Sequence, residues 1–182
     1  MKIKSVTDRM EKLISDLLDY EKIRVGNLDI NLQKENVRKL AQENLEMFSP
    51  LADKKSIKLE MNEVPENLFV ICDRERINQV FSNLVGNALK FTPERGSVSI
   101  FIEEDGDQTK FYINDNGPGI PEKQLAHIFD RYWQAKNTAR QGTGLGLSIA
   151  KGIMEAHNGE LSVESQFGRG TSFLISLPIC PD

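Results

Sequence analysis

Little in this chain invites metal or disulfide chemistry. Cys72 and Cys180 are its only cysteines in 182 residues, with no CxxC pair and no metal spacing, so both are expected as free thiols. The two histidines, His127 and His157, are too few and too far apart for a metal cluster. No apolar run approaches the ~20 residues of a membrane-spanning helix. The opening Met1-Lys2-Ile3-Lys4-Ser5-Val6-Thr7-Asp8 has the pattern of neither a signal nor a transit peptide, so a cytoplasmic location without membrane contact is expected; a longer parent protein would be free to carry its anchor elsewhere. Formal charge is −4, which gives no general pull toward nucleic acid. What is present, 39% hydrophobic and 27% charged residues, is the balance of a globular protein. The length suffices for one packed domain plus a short appendage.

Up to about Gly26, apolar residues at Ile3, Val6, Met10, Leu13, Leu17 and Tyr20 step by three and four, a helical seam widened by Ile14 and Leu18. Such a seam calls for a partner helix, and packing on its own domain is the alternative. Residues 28–34 are expected as a short strand, and a helix over about 36–52 turns Val37, Leu40, Ala41, Leu45 and Phe48 inward. Residues 57–62 and 68–72 read as strands, and Asp73 caps a helix over about 74–90 that Pro93 and Gly96 close. Residues 97–103 and 110–115 form a hairpin through Asp105-Gly106-Asp107. A short helix around 121–129, a helix over about 144–157 and strands at 160–165 and 171–177 complete the chain. Helices and antiparallel strands mix without regular βαβ repeats. The expected fold class is α+β, a two-layer α/β sandwich with a mixed, mainly antiparallel sheet covered by helices, plus an N-terminal helix.

On the helix begun by Asp73, at about 100° per residue, Gln79, Asn83, Asn87 and Lys90 share one stripe, while Ile77, Phe81, Leu84, Ala88 and Phe91 form the neighbouring apolar face. One face packs and the other looks into a cleft, where Asn oxygens suit a hard cation such as Mg²⁺ and Lys90 suits a phosphate. A solvated polar stripe is the alternative. In the strand ending at Asp115, that carboxylate shares the face of Phe111 and Ile113; Thr171 shares the face of Phe173, Ile175 and Leu177. An inward carboxylate needs hydrogen-bond donors, for which an adenine amine is one candidate. A local turn cap by Asp115 and a local backbone bond by Thr171 are the alternatives. Gly117 and Gly119 permit a tight turn, and Gly142, Gly144 and Gly146 enter a helix whose free amides suit phosphates. The loop lacks the Gly-Lys-Ser/Thr ending of a P-loop and does not follow a strand as a Rossmann turn does.

These residues resemble the ATP-binding catalytic domain of sensor histidine kinases, in the superfamily that also holds gyrase, MutL and the heat-shock 90 chaperones. Asn83-Leu84-Val85-Gly86-Asn87-Ala88-Leu89-Lys90-Phe91-Thr92-Pro93 is similar to the N box, and Asp115-Asn116-Gly117-Pro118-Gly119-Ile120 to the first glycine box. Ile128-Phe129-Asp130-Arg131-Tyr132-Trp133 resembles the F box, and Gly142-Thr143-Gly144-Leu145-Gly146-Leu147 the second glycine box. The resemblance implies ATP and Mg²⁺ as cofactors, with Asn87 on the metal and Asn83 and Lys90 on the nucleotide. It also implies Asp115 on the adenine amine assisted by Thr171, and a lid over residues 120–143. Arg131 is either a ligand of the terminal phosphate on lid closure or a solvated lid residue.

Residues 1–27 are similar to the second helix of the family's dimerisation and phosphoacceptor domain, leaving residues 28–182 as the catalytic domain. The receiving histidine should precede an acidic residue, yet His127 precedes Ile128 and His157 precedes Asn158. His127 is expected as a partly buried lid residue and His157 at a helix end, with the acceptor on a helix absent here. The implied partners are that phosphoacceptor domain, a response regulator and, through the N-terminal seam, a second copy of the chain in a homodimer. The implied activity is transfer of the ATP γ-phosphoryl to histidine for relay. The alternatives are a non-catalytic nucleotide-sensing or dimerisation module, and an ATP hydrolase of the same superfamily, which would have Glu where Asn83 stands.

Overall fold

A computed structural model describes residues 2–134 and 143–180, with side chains at position 7 and from position 10 onward. The elements run α1 (Lys2–Arg24), β1 (Gln33–Asn36), α2 (Val37–Lys54), β2 (Lys58–Met61), β3 (Phe69–Cys72), α3 (Arg74–Phe91), β4 (Ser97–Asp105) and β5 (Gln108–Asp115). They continue with α4 (Glu122–Leu125), α5 (Gly146–Ala156), β6 (Glu160–Gln166) and β7 (Gly170–Pro178).

Five strands form one sheet in the order β2-β4-β5-β7-β6; β2 lies parallel to β4 and every other pair is antiparallel. β1 and β3 make a separate antiparallel pair. Alternation decides which way the sheet faces: Phe111 and Ile113 of β5, Ile100 and Ile102 of β4, and Phe173 and Ile175 of β7 are buried in the core, where α3 packs on β4 and β5, α2 on β2 and α5 on β6. Phe81 of α3 meets Phe111 edge-on, ring centroids 5.5 Å apart, which ties the helical layer to the sheet centre. The α+β sandwich with a mixed, mainly antiparallel sheet is thus as expected.

Local signals set most helix ends. The Asp73 carboxylate accepts from the Arg76 N–H at 3.1 Å and the Asn36 side chain from the Lys39 N–H at 2.9 Å, each removing an orphan donor of a first turn. After α1, the Gly26 and Asn27 amides reach back to Ile23 and Lys22 carbonyls at 3.0 and 2.8 Å and stop the helix.

Three expectations are corrected. The strand expected at 28–34 is only Gln33–Asn36, because register with β3 begins at Gln33, and the Asn31 N–H goes to the Asp73 carboxylate at 2.9 Å rather than to a ladder. The helix around 121–129 shrinks to Glu122–Leu125; beyond it, bonds from His127 to Gln124 and from Asp130 to His127 close tight turns. The helix expected from 144 begins at Gly146, since Gly144 stands at φ +74°, a left-handed conformation that no right-handed helix continues.

α1 packs on α5, where Ile23 occupies the space above Gly152. Its other face is uncovered: Met10, Leu13, Ile14, Leu17 and Leu18 are exposed, whereas Tyr20 and Ile23 turn toward the body. Among the described residues no helix is long and apolar enough to cross a membrane.

Candidate functional site

α3 carries seven fully or nearly buried apolar residues, Ile77, Val80, Phe81, Leu84, Val85, Ala88 and Leu89, and this packing aims its polar stripe outward. Asn83, Asn87 and Lys90 therefore line a cleft of about 980 Å³ between α3, the end of β5, the turn after it and the start of α5. Burial lowers the Lys90 pKa, and its ammonium lies 4.6 Å from the centroid of the Phe91 ring.

Across the cleft, Asp115 of β5 and Thr171 of β7 are register partners, and both line the wall. Asp115 is half-buried; one carboxylate oxygen accepts from the Gly117 N–H at 2.8 Å, so the turn cap and the inward-facing carboxylate are the same group. Burial raises its pKa, and the Gly117 and Thr171 backbone N–H groups oppose that rise. Thr171 is 8% exposed, with its hydroxyl 3.0 Å from that of Ser165. The Ser165 proton goes to the Gly170 carbonyl at 2.9 Å, so Thr171 donates to Ser165 and keeps its lone pairs for the cleft. Ser165 also accepts from the Ile120 N–H at 2.8 Å, binding the glycine turn to β6. The sequence carried no signal of this, because the serine lies 45 residues from Ile120.

At the end of the cleft beside the start of α5, Thr143, Gly144 and Gly146 line it. A Cβ on Gly146 would stand 2.7 Å from the Asn83 side-chain oxygen, so glycine here leaves the Asn83 side chain its place against the start of α5. The Leu145 side chain is buried in the core and anchors this turn, while its N–H reaches the Thr143 hydroxyl at 3.2 Å. Gly142 lies outside the described residues. Gly119 lines the cleft, whereas Gly117 sits behind Asp115 as its N–H donor.

Arg131 is not brought into the cleft. Its guanidinium stacks 4.6 Å from the ring centroids of Tyr20 and Tyr132, donates to the Tyr132 hydroxyl at 2.8 Å and stands 3.9 Å from Glu21 of α1. His127, expected partly buried, has a side chain 58% exposed and paired with Asp130 at 2.8 Å, because α4 ends before it turns inward. His157 caps α5, as expected for a helix end, and is 3% exposed. Its Nδ1–H donates to the Ile153 carbonyl and its Nε2 accepts from the Asp73 N–H at 2.9 Å, joining the end of α5 to the start of α3. Burial pushes the Cys72 thiol up to about 12, which makes it inert.

Sequence reading missed other lining groups. Lys12 and Asp16 come from α1, Phe167 from the β6–β7 hairpin, and Trp133 and Ile128 from the segment after α4. Among the described residues no cluster of three or more His, Cys, Asp or Glu is arranged for a metal. The neutral oxygens of the α3 stripe are of the kind that suits a hard cation whose remaining ligands are water and phosphate.

Residues 72–181 match the family described as histidine kinase-, DNA gyrase B- and HSP90-like ATPase. Over 173 residues, 93% of this chain, it is 31% identical to the sensor protein SrrB of Staphylococcus aureus. Over 184 aligned positions, 97% of this chain, it is 32% identical to the circadian input-output histidine kinase CikA of Synechococcus elongatus. The chain spans 30% of the length of SrrB and 24% of CikA. Among solved structures, the catalytic domain of histidine kinase ThkA superposes with a TM-score of 0.73 at 34% identity, over 81% of this chain and 95% of that one. Full-length ShkA in complex with AMPPNP superposes with a TM-score of 0.86 at 27% identity, over 100% of this chain and 38% of that one. ThkA in complex with the response regulator TrrA gives a TM-score of 0.78 at 28% identity, over 98% of this chain and 50% of that one.

Proposed function

The chain belongs to the histidine kinase-, DNA gyrase B- and HSP90-like ATPase family, and from that membership we propose that it is the part of a two-component sensor histidine kinase that binds Mg-ATP and donates the γ-phosphoryl. The observation that carries the reading is the two-sided cleft, with Asp115 and Thr171 on one wall and Asn83, Asn87 and Lys90 on the other. Asp115 accepts from the adenine amine, a group that rewards a half-buried carboxylate for its desolvation. Thr171 assists on the same edge of the base. Lys90 and the amides at the start of α5 receive the phosphate chain. Asn87, with Asn83 beside it, holds Mg²⁺, which neutralises charge on the phosphates when bound.

Catalysis in this reading is positioning and charge stabilisation rather than base chemistry. Asn83 has no basic group to activate water, which favours transfer over hydrolysis. His127 hydrogen-bonds Asp130 and precedes Ile128, and His157 is spent on backbone caps and precedes Asn158, so in this reading neither serves as acceptor. The receiving histidine belongs to a phosphoacceptor domain outside these 182 residues, with a response regulator next in line; the ThkA complex with TrrA supports that partner. The uncovered Met10, Leu13, Ile14, Leu17 and Leu18 supply a dimer seam on α1, the remnant of the dimerisation domain in residues 1–27, while 28–182 form the catalytic domain. ATP as donor places this part of the parent in the cytoplasm.

The test supplies labelled ATP, Mg²⁺ and a separate phosphoacceptor domain that contains the parent's own first helix. Acid-labile phosphohistidine should form on that domain. Nucleotide binding with no phosphohistidine supports a nucleotide sensor instead, and release of free phosphate at the same rate without acceptor supports a hydrolase.

A further inference from the structure

We propose that Asp16 of α1 is a positioning residue of the nucleotide site: its carboxylate holds the second glycine turn in the place a terminal phosphate would take, so α1 docking and triphosphate binding oppose each other. The inference rests on reading the cleft as an adenine-nucleotide site.

Asp16 is the only residue in the exposed stretch from Met10 to Leu18 that is buried, at 6% exposure, and it lines the cleft. Asp16 shares a face of α1 with Tyr20 and Ile23, which pack on the body, and so is carried inward with them. There the Thr143 hydroxyl donates to its carboxylate at 3.1 Å. Thr143 in turn accepts from the Leu145 N–H at 3.2 Å. The one hydroxyl proton of Thr143 is thus committed to Asp16 and cannot be given to a phosphate oxygen. Asp16 thus holds the turn that leads into α5, whose first amides are where a phosphate is expected.

A phosphate reaching this turn meets a carboxylate already there. Like charges at close range in a partly desolvated cleft disfavour each other, and burial already raises the Asp16 pKa. Lys12, one turn earlier and also lining the cleft, offsets part of that charge. The conflict grows with the number of phosphates, because the base is held by Asp115 and Thr171 on the sheet while Asp16 meets the turn before α5. Since coupling is reciprocal, a triphosphate loosens α1 by the same factor that docked α1 weakens the triphosphate. The rest of α1 stays tethered, through Asp19 to Arg76 and Gln79 of α3 at 3.0 and 2.7 Å, so the loosening is local.

The experiment titrates AMP, ADP and AMPPNP with Mg²⁺ into the 182-residue chain and its Asp16→Asn variant, read by Trp133, the single tryptophan and a cleft residue. Asn keeps a hydrogen bond to Thr143 but removes the charge. AMPPNP affinity should rise about fivefold or more in the variant and AMP affinity by less than about twofold. An equal change for all three, or weaker AMPPNP binding, overturns the proposal. A parent chain that binds none of them overturns the nucleotide reading itself, a result distinct from an equal change. Hydrogen exchange on the parent chain is the second readout and needs no variant: AMPPNP, and not AMP, should lower amide protection around Asp16, and unchanged protection overturns the proposal.

Discussion

Asp115 and Thr171 stand opposite each other on adjacent antiparallel strands, on the sheet face that packs against the helices, yet at the one end of that face left open to the cleft. The same alternation that buries Phe111, Ile113, Phe173 and Ile175 therefore delivers a carboxylate and a hydroxyl side by side. Replacing Asp115 by Asn should weaken adenine-nucleotide binding more than about tenfold, since a mis-paired half-buried group costs ~1–3 kcal/mol. A Trp133 fluorescence titration with ADP measures it; unchanged affinity removes Asp115 from the base site.

The same substitution should separate stability from binding. Burial raises the Asp115 pKa, so its ionised form costs the folded state, and the parent is relieved of that cost as pH falls and the carboxyl protonates. Asp115→Asn should therefore match or exceed the parent in thermal stability at neutral pH, and the difference should shrink below the carboxylate range. Melting curves across that pH range check the sign.

Asn87→Ala should mainly remove the Mg²⁺ dependence of nucleotide binding. The cleft offers no carboxylate cluster to compensate among the described residues. Titrations with and without Mg²⁺ should converge in the variant, and a response equal to the parent's counts against Asn87 as the metal ligand.

Gly146→Ala places a Cβ 2.7 Å from the Asn83 oxygen. Asn83 then turns away from the first turn of α5, at little cost in stability because the contacting atom is the far end of its side chain. Because both belong to the proposed phosphate end, ATP affinity should fall more than adenosine affinity, as calorimetric titration of the two would report.

His157→Ala should destabilise the fold by about 1–3 kcal/mol by orphaning the Asp73 N–H, whereas the Ile153 carbonyl keeps the backbone N–H of residue 157 at 3.1 Å. It should leave the nucleotide constants of the folded protein unchanged, because His157 does not line the cleft. Asp73 makes the companion case: burial acts to raise its pKa, but the N–H groups of Asn31, Arg76 and Glu75 outweigh that and lower it. Its contribution is therefore present at neutral pH and lost as pH falls through that lowered value, so denaturant midpoints of Asp73→Ala and the parent should converge in acid.

Two periodicities carried the legible half of the site. A helix of 3.6 residues per turn puts Asn83, Asn87 and Lys90 on one stripe whatever lies opposite, and a period of two puts Asp115 and Thr171 inward on any strand that buries Phe111 and Phe173. The caps at Asp73 and Asn36 were local as well, each acting within three residues. These features the amino-acid order determines by itself, because their geometry closes within one element.

Everything that required two distant elements to meet was decided by tertiary structure. Asp16 finds Thr143 across 127 residues and His157 finds Asp73 across 84. The start of β1 at Gln33 depends on the register of β3, and Arg131 is held on Tyr20 of α1 rather than in the cleft. Hydrogen bonds and ion pairs of this kind have no periodicity to betray them, since either partner is an ordinary polar residue until packing removes water from around it.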